Sequence, residues 1–379
     1  MKNIGIICEY NPFHNGHARQ LLSLRAQGNV CICLMSGNYV QRGEPAIFDK
    51  WTRARAALLC GADLVLELPV TYALRSAEGF AAGGVEILDR LGCIDGLSFG
   101  SELEDMERIL SVAEALDSPA FSLHLRAELA QGVSFPTARQ RALEALGADT
   151  VALQTPNSIL AVEYCKALRR RNSAIRPMLI HRDGDYHAGS SREAPSASFL
   201  RTQKNWEGYV PEKALAAFTD AERHTVAAGQ RAWLARLRAM EEAEFARLPY
   251  GSEGLWRKVC SACRTESSIE GIVQAAKSKR YTHTRLMRML MCAYLGISEE
   301  LLTAQAPYVR VLAANERGQG VLRSAKKSGN LPLLHTGQRA PEGAYAELER
   351  RSSDLYSLFC EQEALTVNQE RTARLFRIP

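Results

Sequence analysis

Hydrophobic and polar positions along the first hundred residues come in blocks of two kinds. Short, β-rich runs apolar almost throughout lie at Ile4–Cys8, Val30–Met35, Asp63–Leu68 and Gly96–Phe99. Between them, at roughly 16–27, 49–61 and 76–91, apolar residues recur every three or four positions. Continuous apolar runs predict strands buried on both faces, and the intervening stretches predict amphipathic helices. The combination is the βαβα signature of an α/β fold with a Rossmann-like parallel sheet. A helical stretch at 103–116 follows, then two or three more reaching Arg171, then a strand at Pro177–His181. The loop "RDGDYHAGSSREAPSASFLR" comes next and ends in a helix start. Beyond about residue 205 the pattern changes: 212–305 reads as almost wholly helical, "YVRVLAAN" and "LPLLH" read as strands, and helices lie between and after them. The expected division is a parallel-sheet domain over 1–205 and a mostly helical domain over 206–379.

Composition alters this picture little. No stretch approaches the ~18 uncharged apolar residues of a membrane span, and Met1-Lys2-Asn3 leads straight into the first strand with no signal-peptide pattern, so the cytoplasm is the default compartment. Of ten cysteines, Cys31, Cys33, Cys60 and Cys93 sit in apolar runs and read as small core residues. Cys260-Ser-Ala-Cys263 is one CxxC without a second pair, short of a tetrahedral zinc site. The net charge of +5 is too mild to argue for nucleic acid by itself.

Chemistry enters at "NPFHNGH", where the first strand ends. In an open α/β sheet, ligands bind beyond the carboxyl ends of the strands. The helix that follows presents backbone N–H groups and a positive dipole end, which suit phosphate. Gly16 lets backbone come close, Asn15 and His17 lie at the helix start, and His14 and His17 are placed to donate to phosphate oxygens as charge builds. The bland alternative is one capping and one exposed histidine. About 180 residues later, "SASFLR" places Ser196 and Ser198 at another helix start with Arg201 on its first turns, a second phosphate-binding arrangement.

The pair of loops resembles the HxGH nucleotidyltransferase superfamily. The resemblance narrows further: "EYNPFHNGH", "SGNYVQRGEPAIFDK", "GADLVLELP", "FGSE", "TPNSILAVEY", "SASFLR" and "KSKRYTHTRLMR" occur in order between residue 8 and about residue 288, as in the bacterial tRNA(Met) cytidine acetate ligase family, and "YVRVLAANERG" extends the match. That resemblance implies a nucleotidyltransferase-like catalytic domain and a tRNA-binding helical one. The implied reaction activates acetate with ATP as acetyl-adenylate, releases pyrophosphate, and transfers the acetyl group to the wobble cytidine of elongator tRNA(Met). His14 and His17 carry over as catalytic residues. As ATP contacts it implies the run Ile7, Cys8, Glu9, Tyr10, Asn11, Pro12, Phe13, His14, Asn15, Gly16, His17, Ala18, Arg19 and Gln20. Gly100, Asn157, Arg182, Asp183, Ser196, Ser198 and Arg201 complete the set. Mg²⁺ is expected to accompany ATP, with no dedicated carboxylate cage.

Several of these residues have plain alternatives. Gly100 permits a turn, Asn157 caps the helix beginning at Ser158, and Arg182 is solvated. Arg42 or Lys50, in and after "GNYVQRGEP", could attract acetate or pyrophosphate, and Asp49 equally reads as an N-cap. Asp183, Asp185 and His187 form a DxDxH string, read as loop structure or nucleotide contact before metal. The stretch between Gly271 and Ser298 has no acidic residue, whereas Lys277, Lys279, Arg280, Arg285 and Arg288 fall within it, with Tyr281 and His283 interleaved. That pattern predicts contact with an RNA backbone and a ring for stacking, against the reading of a solvated helix face. Arg169-Arg170-Arg171 is a second candidate. Two rivals stay open: an adenylyltransferase acting on a small phosphomonoester, and a non-catalytic RNA-binding protein with a nucleotidyltransferase fold.

Overall fold

The computed structural model describes residues 1–181, 192, 195–362 and 366–378. Its centre is a mixed sheet. Strands β1 (Asn3–Cys8), β2 (Val30–Ser36), β3 (Leu64–Leu68), β4 (Gly96–Ser101) and β5 (Arg176–His181) come from the first half of the chain, and β6 (Val309–Ala314), β7 (Leu333–His335) and β8 (Phe376–Arg377) from the second. The spatial order is β8-β6-β3-β2-β1-β4-β5, with β7 pairing β6 off this path. Strands β1 to β5 are mutually parallel, whereas β6 runs antiparallel to β3. Every residue of β2 is buried, which is why that strand reads as one apolar run.

Order 3-2-1-4-5 reverses direction between β1 and β4. The crevice beyond their carboxyl ends is the topological switch point, where this kind of sheet binds ligands. Around the sheet pack α1 (Asn15–Ala26), α2 (Lys50–Leu59), α3 (Ala77–Arg90), α4 (Met106–Asp117) and α5 (Pro156–Arg170). Close approach of α3 to β1 depends on missing side chains: a Cβ at Gly84 would meet Ile7 Cδ1 at 2.5 Å, and one at Gly5 would meet Leu88 Cδ1 at 2.7 Å. The short α6 (Ala197–Thr202) follows β5. Farther on, α7 (Val226–Ala239), α8 (Leu255–Thr265), α9 (Ile269–Ala276) and α10 (His283–Leu295) enclose a second core around Trp233, Phe245 and Leu290. Finally α11 (Glu316–Ser328) flanks the sheet and α12 (Ala344–Tyr356) packs on α10.

The predicted strands and helices fall where the pattern placed them, to within a few residues. Some short elements escaped it. A two-stranded ribbon, Tyr39–Val40 with Glu44–Pro45, is hidden in the Gly- and Pro-containing "GNYVQRGEP", and β8 is too short to show a period. The part of the chain beyond 205 also contributes three strands to the sheet, so sheet and helical core are not separated at that position. Among the described residues no helix is long and apolar enough to cross a membrane.

Candidate active site

The loop leaving β1 turns sharply at Tyr10, whose φ of 46° lies in the left-handed region. Tyr10 and Phe13 point inward and are buried; their rings meet edge to face at 4.9 Å. They form a floor for His17, whose ring lies 4.8 Å from Tyr10 and 5.6 Å from Phe13. His14 and His17 stack on each other, centroids 3.6 Å apart and planes within 20°. The His14 backbone N–H donates to His17 Nδ1 at 3.3 Å. A neutral His17 ring that accepts there carries its proton on Nε2. His14 is buried and His17 only half-buried. Gly16 has a local reason beyond backbone approach: a Cβ there would stand 3.1 Å from His14 Cε1.

The second loop reaches the first across 190 residues of sequence. Arg201 donates to the Asn11 carbonyl at 2.9 Å and to Ser198 Oγ at 3.2 Å. Ser196 accepts the Phe199 N–H and so caps α6. Glu9 faces this junction. Burial pushes its carboxyl up, while the Gln41 N–H at 2.7 Å and the charges of Arg201, Arg42 and Arg53 pull it back, leaving it above the ordinary carboxylate range. Across the switch point, Gln20 donates to Ser98 Oγ of β4 at 3.1 Å.

Of the expected ATP contacts, the structure gathers Glu9, Asn11, His14, Gly16, His17, Gln20, Ser196, Ser198 and Arg201 at the mouth of β1, with Gly100 at the end of β4. Arg19 is exposed on the first turns of α1. Others in the run serve the scaffold through their side chains. Ile7 packs against α3, Cys8 Sγ contacts the Leu34 carbonyl at 3.8 Å, and Tyr10, Pro12, Phe13 and Ala18 are buried. The Asn15 amide is taken by the carbonyls of Arg192 and Gly208 at 2.8 and 2.9 Å, which fasten that segment over the helix start. Asn157 does not cap its helix: its amide donates to Glu102 at 2.6 Å, alongside Thr155 and Ser158 on the same carboxylate. Burial raises the Glu102 carboxyl, but these three donors bring it below its ordinary value. Arg182, Asp183, Asp185 and His187 lie outside the described residues.

Two basic candidates, Lys50 and Arg288, are placed differently from the expectation. Lys50 is buried, bonded to Glu67 at 2.7 Å and to Glu370, and Asp49 is the N-cap of α2. Arg288 is buried too. It lies over the Tyr250 ring and reaches the Gln41 carbonyl at 3.5 Å, a ribbon-to-helix tie that keeps it from an RNA backbone. Tyr281, buried with its hydroxyl donating to the Glu253 carbonyl, presents no ring for stacking. Lys277, Lys279 and Arg280 are exposed, Arg280 pairing with Glu253 at 2.9 Å. Arg285 is half-buried, donating to the Tyr250 carbonyl and to Ser252. Arg169, Arg170 and Arg171 are paired with Glu114, with Asp117 and Glu78, and with Asp89, the bland outcome for that triple.

Arg53 and Glu102 escaped the sequence reading. Fully buried, Arg53 donates to the Glu9 carbonyl at 2.6 Å, to the Phe48 carbonyl at 2.9 Å and to the Gly37 carbonyl, and so holds the loops after β1 and β2 together. A lone arginine inside a helical pattern gives no such signal. Glu102 belongs to the "FGSE" motif, where no spacing or pattern marks it for a role.

A parallel sheet reversing at β1/β4, with a stacked HxGH pair at its mouth, defines a nucleotidyltransferase-type site. The HIGH Nucleotidyl Transferase family model matches residues 1–371. Similar proteins include the tRNA(Met) cytidine acetate ligase of Clostridium acetobutylicum, 36% identical over 361 residues, covering 88% of this chain and 90% of the relative. That of Thermoanaerobacter sp. is 37% identical over 351 residues, covering 87% and 88%. Among solved structures, Thermotoga maritima TmcAL bound with alpha-thio ATP is 30% identical with a TM-score of 0.89, both chains covered completely. Its apo form is 29% identical with a TM-score of 0.91 and the same coverage. The chain belongs to the tRNA(Met) cytidine acetate ligase family.

Proposed function

We propose that this protein is an ATP-dependent ligase that activates acetate as acetyl-adenylate and acetylates the wobble cytidine of elongator tRNA(Met), forming N4-acetylcytidine and releasing AMP and pyrophosphate. The observation that carries the reading is the stacked His14–His17 pair at the switch point, with Arg201 of the second loop bonded to the Asn11 carbonyl of the first. An acetate oxygen attacks the α-phosphorus of ATP, a new P–O bond forms, and the bond to the β,γ-diphosphate breaks. Negative charge moves to the non-bridging α-oxygens and the departing pyrophosphate. That chemistry needs preorganised donors more than a base. His17 Nε2–H and the dipole of α1 serve the α-phosphate, and Arg201 with the hydroxyl of Ser198 serves the tail. In the second half-reaction the cytidine exocyclic amine attacks the acetyl carbon and AMP leaves.

Among the described residues, Glu9 is the carboxylate placed at this mouth, and it already faces the Gln41 N–H and three arginines. Mg²⁺ is expected to arrive with the triphosphate. For tRNA, the exposed Lys277, Lys279 and Arg280 supply phosphate contacts, with Arg285 behind them. The test is ATP–pyrophosphate exchange without tRNA, run with a panel of small carboxylates and phosphomonoesters. Acetate should support exchange. A phosphomonoester that works where acetate fails would establish the adenylyltransferase rival.

A further inference from the structure

Two acidic or mixed clusters stand apart from the nucleotide site. Glu67, Glu349 and Glu370 share one buried spot, but Lys50 and Arg310 already sit among them as counter-ions. The second, Glu222, His224 and Cys360, has no such cation built in among the described residues.

It lies where the strand-like segment 222–225 crosses 359–361 in antiparallel fashion. Thr225 N–H donates to the Phe359 carbonyl at 2.9 Å, Glu361 N–H to the Arg223 carbonyl at 2.8 Å, and His224 faces Cys360 across an isolated bridge. Residues directly opposite on such a pair project from the same face. One donor atom from each of the three side chains lies within 4.8 Å of the other two. Cys360 Sγ is 3.6 Å from Glu222 Oε2. Tetrahedral zinc, with Zn–S near 2.3 Å and Zn–O near 2.0–2.2 Å, sets sulfur and oxygen about 3.5 Å apart.

Surrounding groups are arranged as metal ligands need. The Gln362 N–H points at Cys360 Sγ from 3.4 Å. His224 Nδ1 lies 3.1 Å from the Glu222 carbonyl oxygen. With Nδ1 as donor there, the ring's lone pair is on Nε2, the tautomer of a metal-bound histidine held by a carbonyl. The ring is fixed by stacking on Tyr356 at 4.0 Å, and its backbone N–H by the Ile47 carbonyl at 2.9 Å. Thiolate, carboxylate and neutral imidazole sum to two negative charges, and Asp49 and Glu361 add to the negative field at the ring. Without a cation, an ionised Cys360 and an ionised Glu222 in contact would repel.

We propose that Glu222, His224 and Cys360 bind one divalent cation of the zinc class, with water in the fourth position. The ion clamps the entry to α7 onto the chain that leaves α12, beside the Ile47 loop.

The test uses the full chain, stripped with chelator and titrated with Co²⁺, whose thiolate charge-transfer band reports sulfur ligation. One equivalent should produce the band, and Zn²⁺ should displace it. Cys360→Ser should abolish it, while Cys260→Ser/Cys263→Ser should leave it intact. Glu222→Gln, at a partly exposed position, should weaken affinity at least ~10-fold, the lower scale for perturbing a metal site. As a measurement that needs no variant, zinc should protect Cys360 from alkylation in the parent, read residue by residue by mass spectrometry. Alkylation of Cys360 unaffected by zinc, or a band that survives Cys360→Ser or vanishes with the CxxC pair, would overturn the proposal.

Discussion

His17 and Glu67 show how much one side chain's surroundings decide. His17 is positioned by an aromatic floor, a stacked neighbour and a backbone N–H on Nδ1. Replacing it with alanine should reduce acetate-dependent pyrophosphate exchange by about 10²–10³-fold, the scale for losing one oxyanion donor. ATP affinity should fall much less, so exchange and nucleotide titration measured together separate the roles. Near-normal exchange in H17A would reduce the histidine to a structural residue. Glu67 gives a pH prediction. Burial, opposed by Lys50 and reinforced by Glu370 and Glu349, raises its carboxyl to about 7 from 4.5. Between those values the folded chain holds the extra proton, so this group's contribution to stability falls as pH rises through the window and is level above it. Relative to Glu67→Gln, the parent should lose stability between about pH 5 and about pH 7.5, as urea midpoints at both pH values will show. An unchanged difference between the two proteins would refute the assignment.

Elements explain which parts of the site were legible. Strands β1 and β2 announce themselves because burial on both faces demands unbroken apolar runs, and the HxGH loop is recognisable because it follows such a run. The ribbon at 39–45 was invisible: its signal is a contact, not a period. Gly43, at φ 82°, lies against α10, where a Cβ would stand 2.5 Å from the Arg288 nitrogen. The same contact draws Arg288 out of the basic run that composition assigned to RNA, since a charge count cannot tell which side chains a neighbouring ribbon will cover. What remains exposed at the α9–α10 junction is Lys277, Lys279 and Arg280. Changing all three to alanine should leave acetyl-adenylate formation intact and weaken tRNA acetylation. For every phosphate that loses its cationic partner, the slope of log affinity against log salt should become shallower by about one unit. Equal loss of both half-reactions would mean that the junction supports the fold. An unaltered salt slope would place the tRNA elsewhere.

For the whole molecule, the sheet is closed by the end of the chain. β6 pairs with β3, β8 with β6, and α11 packs under both β2 and β3. A Cβ on Gly318 of α11 would run into the Asp63 carbonyl oxygen, so helix and strand start are in direct contact. Asp63 also accepts from the Cys31 N–H, Arg25 and Asn315, which joins three distant stretches at one buried carboxylate. The Lys50 ammonium sits between Glu67 on β3 and Glu370 near the C-terminus. A fragment ending at 205 would keep Lys50, Glu67 and Asp63 but lose Glu370, Arg310 and Asn315, and would expose the apolar edge of β3. Burying a charge without its partner is costly, and an uncovered apolar edge strand invites association. Residues 1–205 alone should therefore show no cooperative thermal transition, while the full chain unfolds with sheet and helical core coupled. A fragment that melts cooperatively and binds ATP would show instead that the sheet's first five strands are a self-sufficient domain, and that the C-terminal strands serve to fasten the helical core to it.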